Sequence, residues 1–284
     1  MVLDDYLVSA VWATYENYAG DEERDALAEY LEDWIYELGG DVNERTEDGT
    51  PLLMLMLHGA HVARAVPPID AIKVALAADA DPNALSADME SAGRPLPLAL
   101  WKAGTEHQSD WRDVVFELLA HGADLELPDW DGDTPLTTVL QIEIRYSARK
   151  LDLLHLLLRR GADVSQEPEM LMALVAKVQS STPRSKFLEA HAKVQALLAA
   201  VIGAGSWKKY LHEPRTRLDT LRVLCSRGRA TPPPGPLARL FPCDAPCAGS
   251  VRARHVVPLG VFRTILCFWR SDRDEPPPVP NWRT

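Results

Sequence analysis

Four residues late in the chain could hold a metal. Cys243 and Cys247, with three residues between them, together with His255 and Cys267 offer thiolate and imidazole donors, the set that zinc takes up tetrahedrally. Their spacing is irregular and Pro246 stands inside it, so unpaired thiols in a loose tail are the competing reading. Other chemistry is not spelled out. The chain carries no Gly-x-Ser-x-Gly turn, no His-Glu-x-x-His and no phosphate loop ending in Gly-Lys-Ser/Thr. Gly203-Ala204-Gly205-Ser206 is glycine-rich but follows a helical run rather than a strand, so it reads as a helix stop. His58, His61, His107, His121, His155, His191 and His212 are scattered and read as helix-face residues. No catalytic residue and no cofactor is therefore expected.

The elements that would have to position any site recur. Gly39-Gly40-Asp41-Val42-Asn43 is followed by Asp79-Ala80-Asp81-Pro82-Asn83, Gly122-Ala123-Asp124-Leu125 and Gly161-Ala162-Asp163-Val164, with an echo at Gly203-Ala204-Gly205. The copies begin 40, 43, 39 and 42 residues apart. A period of this size marks stacked supersecondary units, each of which needs a neighbour to cover its apolar face.

Each unit has a readable grammar. Before the phrase, Val114-Val115-Phe116-Glu117-Leu118-Leu119 and Leu151–Leu158 place apolar residues at three- and four-residue steps, as a helix does. Glycine then takes the left-handed conformation that ends the helix. Turn residues follow at Thr46-Glu47-Asp48-Gly49 and Asp129-Trp130-Asp131-Gly132. Thr50-Pro51-Leu52 and Thr134-Pro135-Leu136 open the next helix, threonine as cap and proline at the first position.

Gly122-Ala123-Asp124-Leu125 followed by Asp131-Gly132-Asp133-Thr134-Pro135-Leu136 resembles the ankyrin repeat in order and spacing. The copy at 39–53 matches with one residue missing from its turn. The copy at 79–98 has Arg94-Pro95-Leu96 for Thr-Pro-Leu, and the copy at 161 keeps Gly-Ala-Asp-Val but has only Glu167-Pro168-Glu169 after it, a shortened turn. The resemblance covers residues 1–230, in units of about 1–38, 39–78, 79–121, 122–160 and 161–202 with a cap at 203–230. It implies an all-α ankyrin-repeat solenoid of stacked helix-turn-helix units. It also implies a non-catalytic, eukaryotic, cytoplasmic or nuclear scaffold that binds a protein partner with its turn tips and first helices. In the family pattern Trp130 is a turn tip, where it either projects to a partner or lies flat on an adjacent turn. Asp131, Glu47 and Asp48 occupy equivalent tips and make an acidic rim that favours a basic partner, with Arg94 beside them. Trp34, Trp101, Trp111 and Leu156 are expected between helices.

From Thr231 the pattern changes. Pro232-Pro233-Pro234-Gly235-Pro236 reads as an extended linker, and 231–284 as linker plus a C-terminal amphipathic helix. Phe262, Ile265, Leu266 and Trp269 form one apolar stripe, which either folds back or docks a second protein. Leu221–Cys225 and the later Pro258-Leu259 are loosely similar to the SOCS box. That similarity implies the alternative of an adaptor recruiting a ubiquitin-ligase subunit.

Charge and composition narrow the field. The net charge of −11 divides into −20 over residues 1–150 and +9 over 151–284. The acidic half argues against nucleic acid, while the basic end could attract an acidic partner or meet the chain's own acidic half. The composition, 46% hydrophobic and 25% charged, is that of a globular chain. No apolar run is expected to span a membrane, and the first residues are acidic where a leader would be basic. All four cysteines lie in the last quarter, which fits a reducing compartment. A soluble intracellular monomer is expected.

Overall fold

The computed structural model describes residues 3, 5–16, 21–87, 93–106, 110–176, 185–231, 240–241 and 257–268. The fold is all-α. Among the described residues the β-structure consists of one antiparallel bridge, Arg45 with Pro51. The helices are α1 (Asp5–Glu16), α2 (Asp21–Tyr36), α3 (Leu52–Ala63), α4 (Ile69–Ala77), α5 (Pro95–Thr105), α6 (Asp110–Ala120), α7 (Pro135–Gln141), α8 (Ser147–Arg160), α9 (Pro168–Ala176), α10 (Ser185–Ala204), α11 (Trp207–Ser226) and α12 (Leu259–Phe268). A 3-10 turn at Ile144–Tyr146 leads into α8. The chain divides into two compact units, and the described residues up to Ala199 belong to the first and those from Ala200 to the second. Residues 203–230, read from sequence as the closing segment of the array, therefore fall in the second unit.

In the first unit α1, α3, α5, α7 and α9 pack one on the next, and so do α2, α4 and α6. Burial follows from the composition of each helix. Leu52–Leu57 of α3, Pro95–Leu100 of α5 and Pro135–Leu140 of α7 are buried without a break. A helix apolar on every side can be stable only when covered on every side. In α4, Ala71, Ile72, Ala75 and Leu76 are buried, and in α6 Trp111, Val114, Val115 and Leu118, both at helical one- and three-residue steps. That spacing is a single stripe, with polar residues left to water. In α8 the stripe is Leu153, Leu154, Leu157 and Leu158, while Leu156 is only half-buried. Leu156 is therefore at the margin of the core rather than inside it.

The helix stops work largely as the sequence suggests. Gly39, Gly122 and Gly161 have φ of 72°, 87° and 104°, the left-handed region that glycine enters without steric cost. Asp79 stands at the matching place with φ 64°, one of two non-glycine residues in this region among those described. Thr134 caps α7, its Oγ1 accepting from the Thr137 N–H at 3.4 Å. Thr50 differs: α3 begins one residue later and makes no side-chain cap, and the Thr50 hydroxyl bonds the Ser86 hydroxyl at 3.3 Å.

Two helices depart from expectation. α11 is one continuous 20-residue helix with Pro214 inside it, capped by the Ser206 hydroxyl on the Lys209 N–H at 3.3 Å. In α10 the window Phe187–Ala204, mean hydropathy 1.3, is long and apolar enough to cross a membrane by length and composition. This corrects the expectation that no run would qualify. The helix nonetheless carries a Lys193–Glu189 ion pair (2.9 Å) and buries His191, Val194, Leu198 and Val201 at helical spacing.

The second unit is built around Arg222. Its guanidinium donates to the carbonyls of Leu240 and Val257 and lies over the Phe262 ring, 4.4 Å from the centroid. Phe241 meets Phe262 edge-on at 6.0 Å. Arg263 on α12 pairs with Asp219 on α11 at 3.4 Å.

Candidate functional site

The recurring aspartates build the turns that carry the candidate site. The Oδ1 atoms of Asp41, Asp81, Asp124 and Asp163 accept from the N–H two residues on, in Asn43, Asn83, Glu126 and Ser165, at 2.8–2.9 Å. A short carboxylate folding back on its own backbone is an Asx turn, which explains why the phrase keeps its aspartate.

The residue two places later joins each turn to the following one. Asn43 Nδ2 donates to the Asp79 carbonyl (3.0 Å) and its Oδ1 accepts from the Asp81 N–H (2.8 Å). Asn83 repeats both bonds on Gly122 (3.3 Å) and Asp124 (2.7 Å). Glu126 Oε1 makes the accepting half with the Asp163 N–H at 2.8 Å. Burial pushes the Glu126 carboxyl above its usual range, and the bond from Asp163 partly offsets this. Sequence reading missed this ladder. Its signal in the sequence is Asp-x-Asn at 41–43 and 81–83 and Asp-x-Glu at 124–126.

Arginines add a second tie. Arg45 Nη1 donates to the carbonyls of Gly49 and Leu85, both at 2.8 Å. Arg94 Nε donates to the Pro128 carbonyl at 2.8 Å and its Nη1 to the Asn83 carbonyl. The guanidinium of Arg94 thus holds two turns together, a structural duty that its placement among the rim residues did not anticipate.

On this frame Trp130 lies against the preceding turn. Its Nε1 donates to the buried Ser86 carbonyl at 3.0 Å, and the ring rests on Gly93. A Cβ at Gly93 would come within 2.8 Å of the indole, and Gly93 has φ 72°, so both contact and conformation call for glycine. The residue remains 49% exposed. The two sequence alternatives are combined: one part of the indole is on the neighbouring turn and the other faces water. Asp131, Glu47 and Asp48 are exposed. Burial raises the Asp129 carboxyl, offset by the N–H groups of Asp133 and Asp131.

The first helices contribute little surface because their leading turns are buried. Their C-terminal halves expose Val62 and Trp101. Trp101, expected between helices, is 42% exposed, whereas Trp34 and Trp111 are buried as expected. The His61 ring meets Trp101 edge-on at 5.7 Å and lies 5.9 Å from His58. These two histidines therefore do group, contrary to the scattered reading. Burial lowers the His61 pKa, and the nearby Lys102 cation lowers it further. Lys102 is itself buried, paired with Glu106, and lies 5.6 Å from the Trp101 ring and 5.9 Å from Trp111. A cation placed between indoles and one carboxylate is a packing device for α5 and α6.

A cleft of about 550 Å3 opens where α1, the 46–50 turn and α3 meet. Asp5, Trp12, Glu47, Asp48, Leu55 and His58 line it. In the second unit Phe262 and Leu266 are buried, while Leu259, Val261 and Ile265 of α12 are exposed. The apolar stripe is thus split, part facing α11 and part facing water. Trp269, Cys243, Cys247 and His255 lie outside the described residues, as do His107 and the proline-rich segment 232–236. Cys225 is a buried free thiol. Among the described residues no group of three or more metal-binding side chains converges. Comparison of the sequence with models of known protein families gives no match, and comparison with curated proteins gives none either.

Proposed function

We propose that the first unit is an ankyrin-type solenoid that binds a protein partner, without catalysis or cofactor, along its row of turn tips. The observation that carries this reading is the ladder of side-chain bonds. It fixes successive turns in register and leaves the half-exposed Trp130 ring and the carboxylates of Asp131, Glu47 and Asp48 facing solvent. Rigid turns with an aromatic anchor in an acidic rim suit recognition, since little order must be gained on binding. A basic partner is favoured by the −20 balance over residues 1–150. The protein acts as a monomer in the cytoplasm or nucleus on this reading.

The test is proximity labelling in the source cell with wild-type protein, Trp130→Ala and an Asp131→Asn/Glu47→Gln double variant. Trp130→Ala also loses the Ser86 bond, so it is expected to cost about 1–2 kcal/mol of stability. The double variant removes only exposed carboxylates and controls for that loss. Partners lost with both variants support the reading. An unchanged partner set in both would refute it.

A second reading is favoured by α12. Leu259, Val261 and Ile265 are exposed on a ten-residue helix that Arg222 and Phe241 hold in place. An adaptor would use this face to recruit another protein, such as a ubiquitin-ligase subunit. Val261→Asp should remove that one partner and leave those of the turn tips.

A further inference from the structure

We infer that the cleft beside the 46–50 turn receives an arginine side chain from a basic peptide segment. This deepens the proposed reading, on which it rests, by naming the chemistry of the partner at one place.

The cleft is preformed. The Leu3 N–H donates to the Arg45 carbonyl at 2.7 Å, which pins the start of the chain to the turn. Trp12, one wall, packs edge-on against Tyr15 with centroids 6.5 Å apart, and the Tyr15 hydroxyl donates to the Met56 carbonyl of α3 at 2.6 Å. The indole is thus anchored through α1 to α3 before any ligand arrives. The Thr46 N–H bonds the Thr50 carbonyl (2.9 Å) and the Arg45 guanidinium holds Gly49, so the turn bearing Glu47 and Asp48 is fixed as well.

The lining is asymmetric in charge. Asp5, Glu47 and Asp48 bring three carboxylates, and none of the three makes a side-chain hydrogen bond or ion pair among the described residues. The aspartates of the recurring phrase behave differently, for each is occupied by a backbone N–H. His58 lines the cleft from α3. The lining includes no lysine or arginine. A ligand that answers carboxylates and an aromatic face together is a cation with a flat, weakly hydrated head. A guanidinium forks onto carboxylates and stacks on indole, whereas an ammonium does so less well. The volume falls in the range of about 300–1,000 Å3 that encloses whole small ligands, which leaves space for main chain beside the side chain.

The test uses a fluorescein-labelled Gly-Gly-Arg-Gly-Arg-Gly-Gly peptide and its lysine counterpart, read by fluorescence anisotropy at low salt. The arginine peptide should bind more tightly than the lysine one. Glu47→Gln/Asp48→Asn should weaken it about five- to tenfold, as loss of two partly exposed pairs allows. Trp12→Leu should abolish the preference for arginine. Asp33→Asn/Glu37→Gln, on α2 and just after it, removes the same charge elsewhere and should change affinity less than about twofold. Equal weakening by the two charge variants would overturn the inference, because attraction would then be general. So would absence of binding at about 1 mM. If partners depend on Trp130 and Asp131 while the peptide ignores the cleft, the inference fails and the proposed function stands.

Discussion

At the scale of single residues, the most telling side chains are polar ones placed where sequence patterns are silent. Asn83 makes two bonds to the next turn, on Gly122 and Asp124. Asn83→Ala is expected to lower stability by about 1–2 kcal/mol, measured by urea unfolding, because an acceptor for the Asp124 N–H disappears with it. Asn83→Asp should keep the accepting half and recover part of the loss. Lys150 is buried, with Nζ donating to the Leu140 carbonyl at 2.7 Å, and burial lowers its pKa from 10.5 to about 8. Its folded value is below its unfolded one. Between about pH 8 and 10.4 the unfolded chain therefore holds more of this proton, and stability from this group rises with pH across that window. Lys150→Met should flatten the rise when wild type and variant are compared by denaturation at pH 7.5 to 10. Asp152 is the acidic counterpart. Burial raises its pKa to about 6, with Arg112 opposing, so its charge penalises the fold above that pH and is relieved on acidification toward the unfolded value.

Helices were the most legible part of this chain, because a repeated apolar period needs no knowledge of neighbours. The existence of α3, α6, α7 and α8, the glycine stops and the threonine cap at Thr134 could all be read from spacing and residue type. Depth within the core could not. Leu156 sits in a run of leucines whose members look alike in sequence, and only the packed neighbours decide that Leu157 is fully buried and Leu156 is not. Leu157→Ala is accordingly expected to cost about 2–5 kcal/mol and Leu156→Ala less than half as much, a contrast that thermal unfolding of the two variants would check. The exposure of Trp101 is hidden in the same way, since its preceding neighbours in α5 are equally apolar in sequence. The candidate site was legible in its acidic tips and in Trp130, but not in Trp12 or His58, which reach the cleft from elements distant in sequence.

Across the whole molecule, charge is the property that no single helix carries. The first 150 residues hold a −20 balance and the remainder +9. Long-range attraction of a cationic ligand to the acidic half should appear in its association rate more than in its dissociation. Stopped-flow mixing with the arginine peptide is expected to give a rate constant that falls about tenfold between about 20 mM and 200 mM salt. A salt-insensitive rate would mean that encounter is not steered. The ladder of turns has a consequence of its own. Each rung borrows its amide or carboxylate from the earlier turn and serves the backbone of the later one, as Asn43 serves Asp79 and Asp81. The row consequently has a direction. Within the ladder, removing turns from the front orphans peptide groups in what is left behind, whereas removing turns behind Trp130, whose own bond serves the earlier Ser86 carbonyl, strands only a ladder side chain that water can satisfy. Shortened versions of the protein should therefore tolerate loss of their rear more readily than loss of their front.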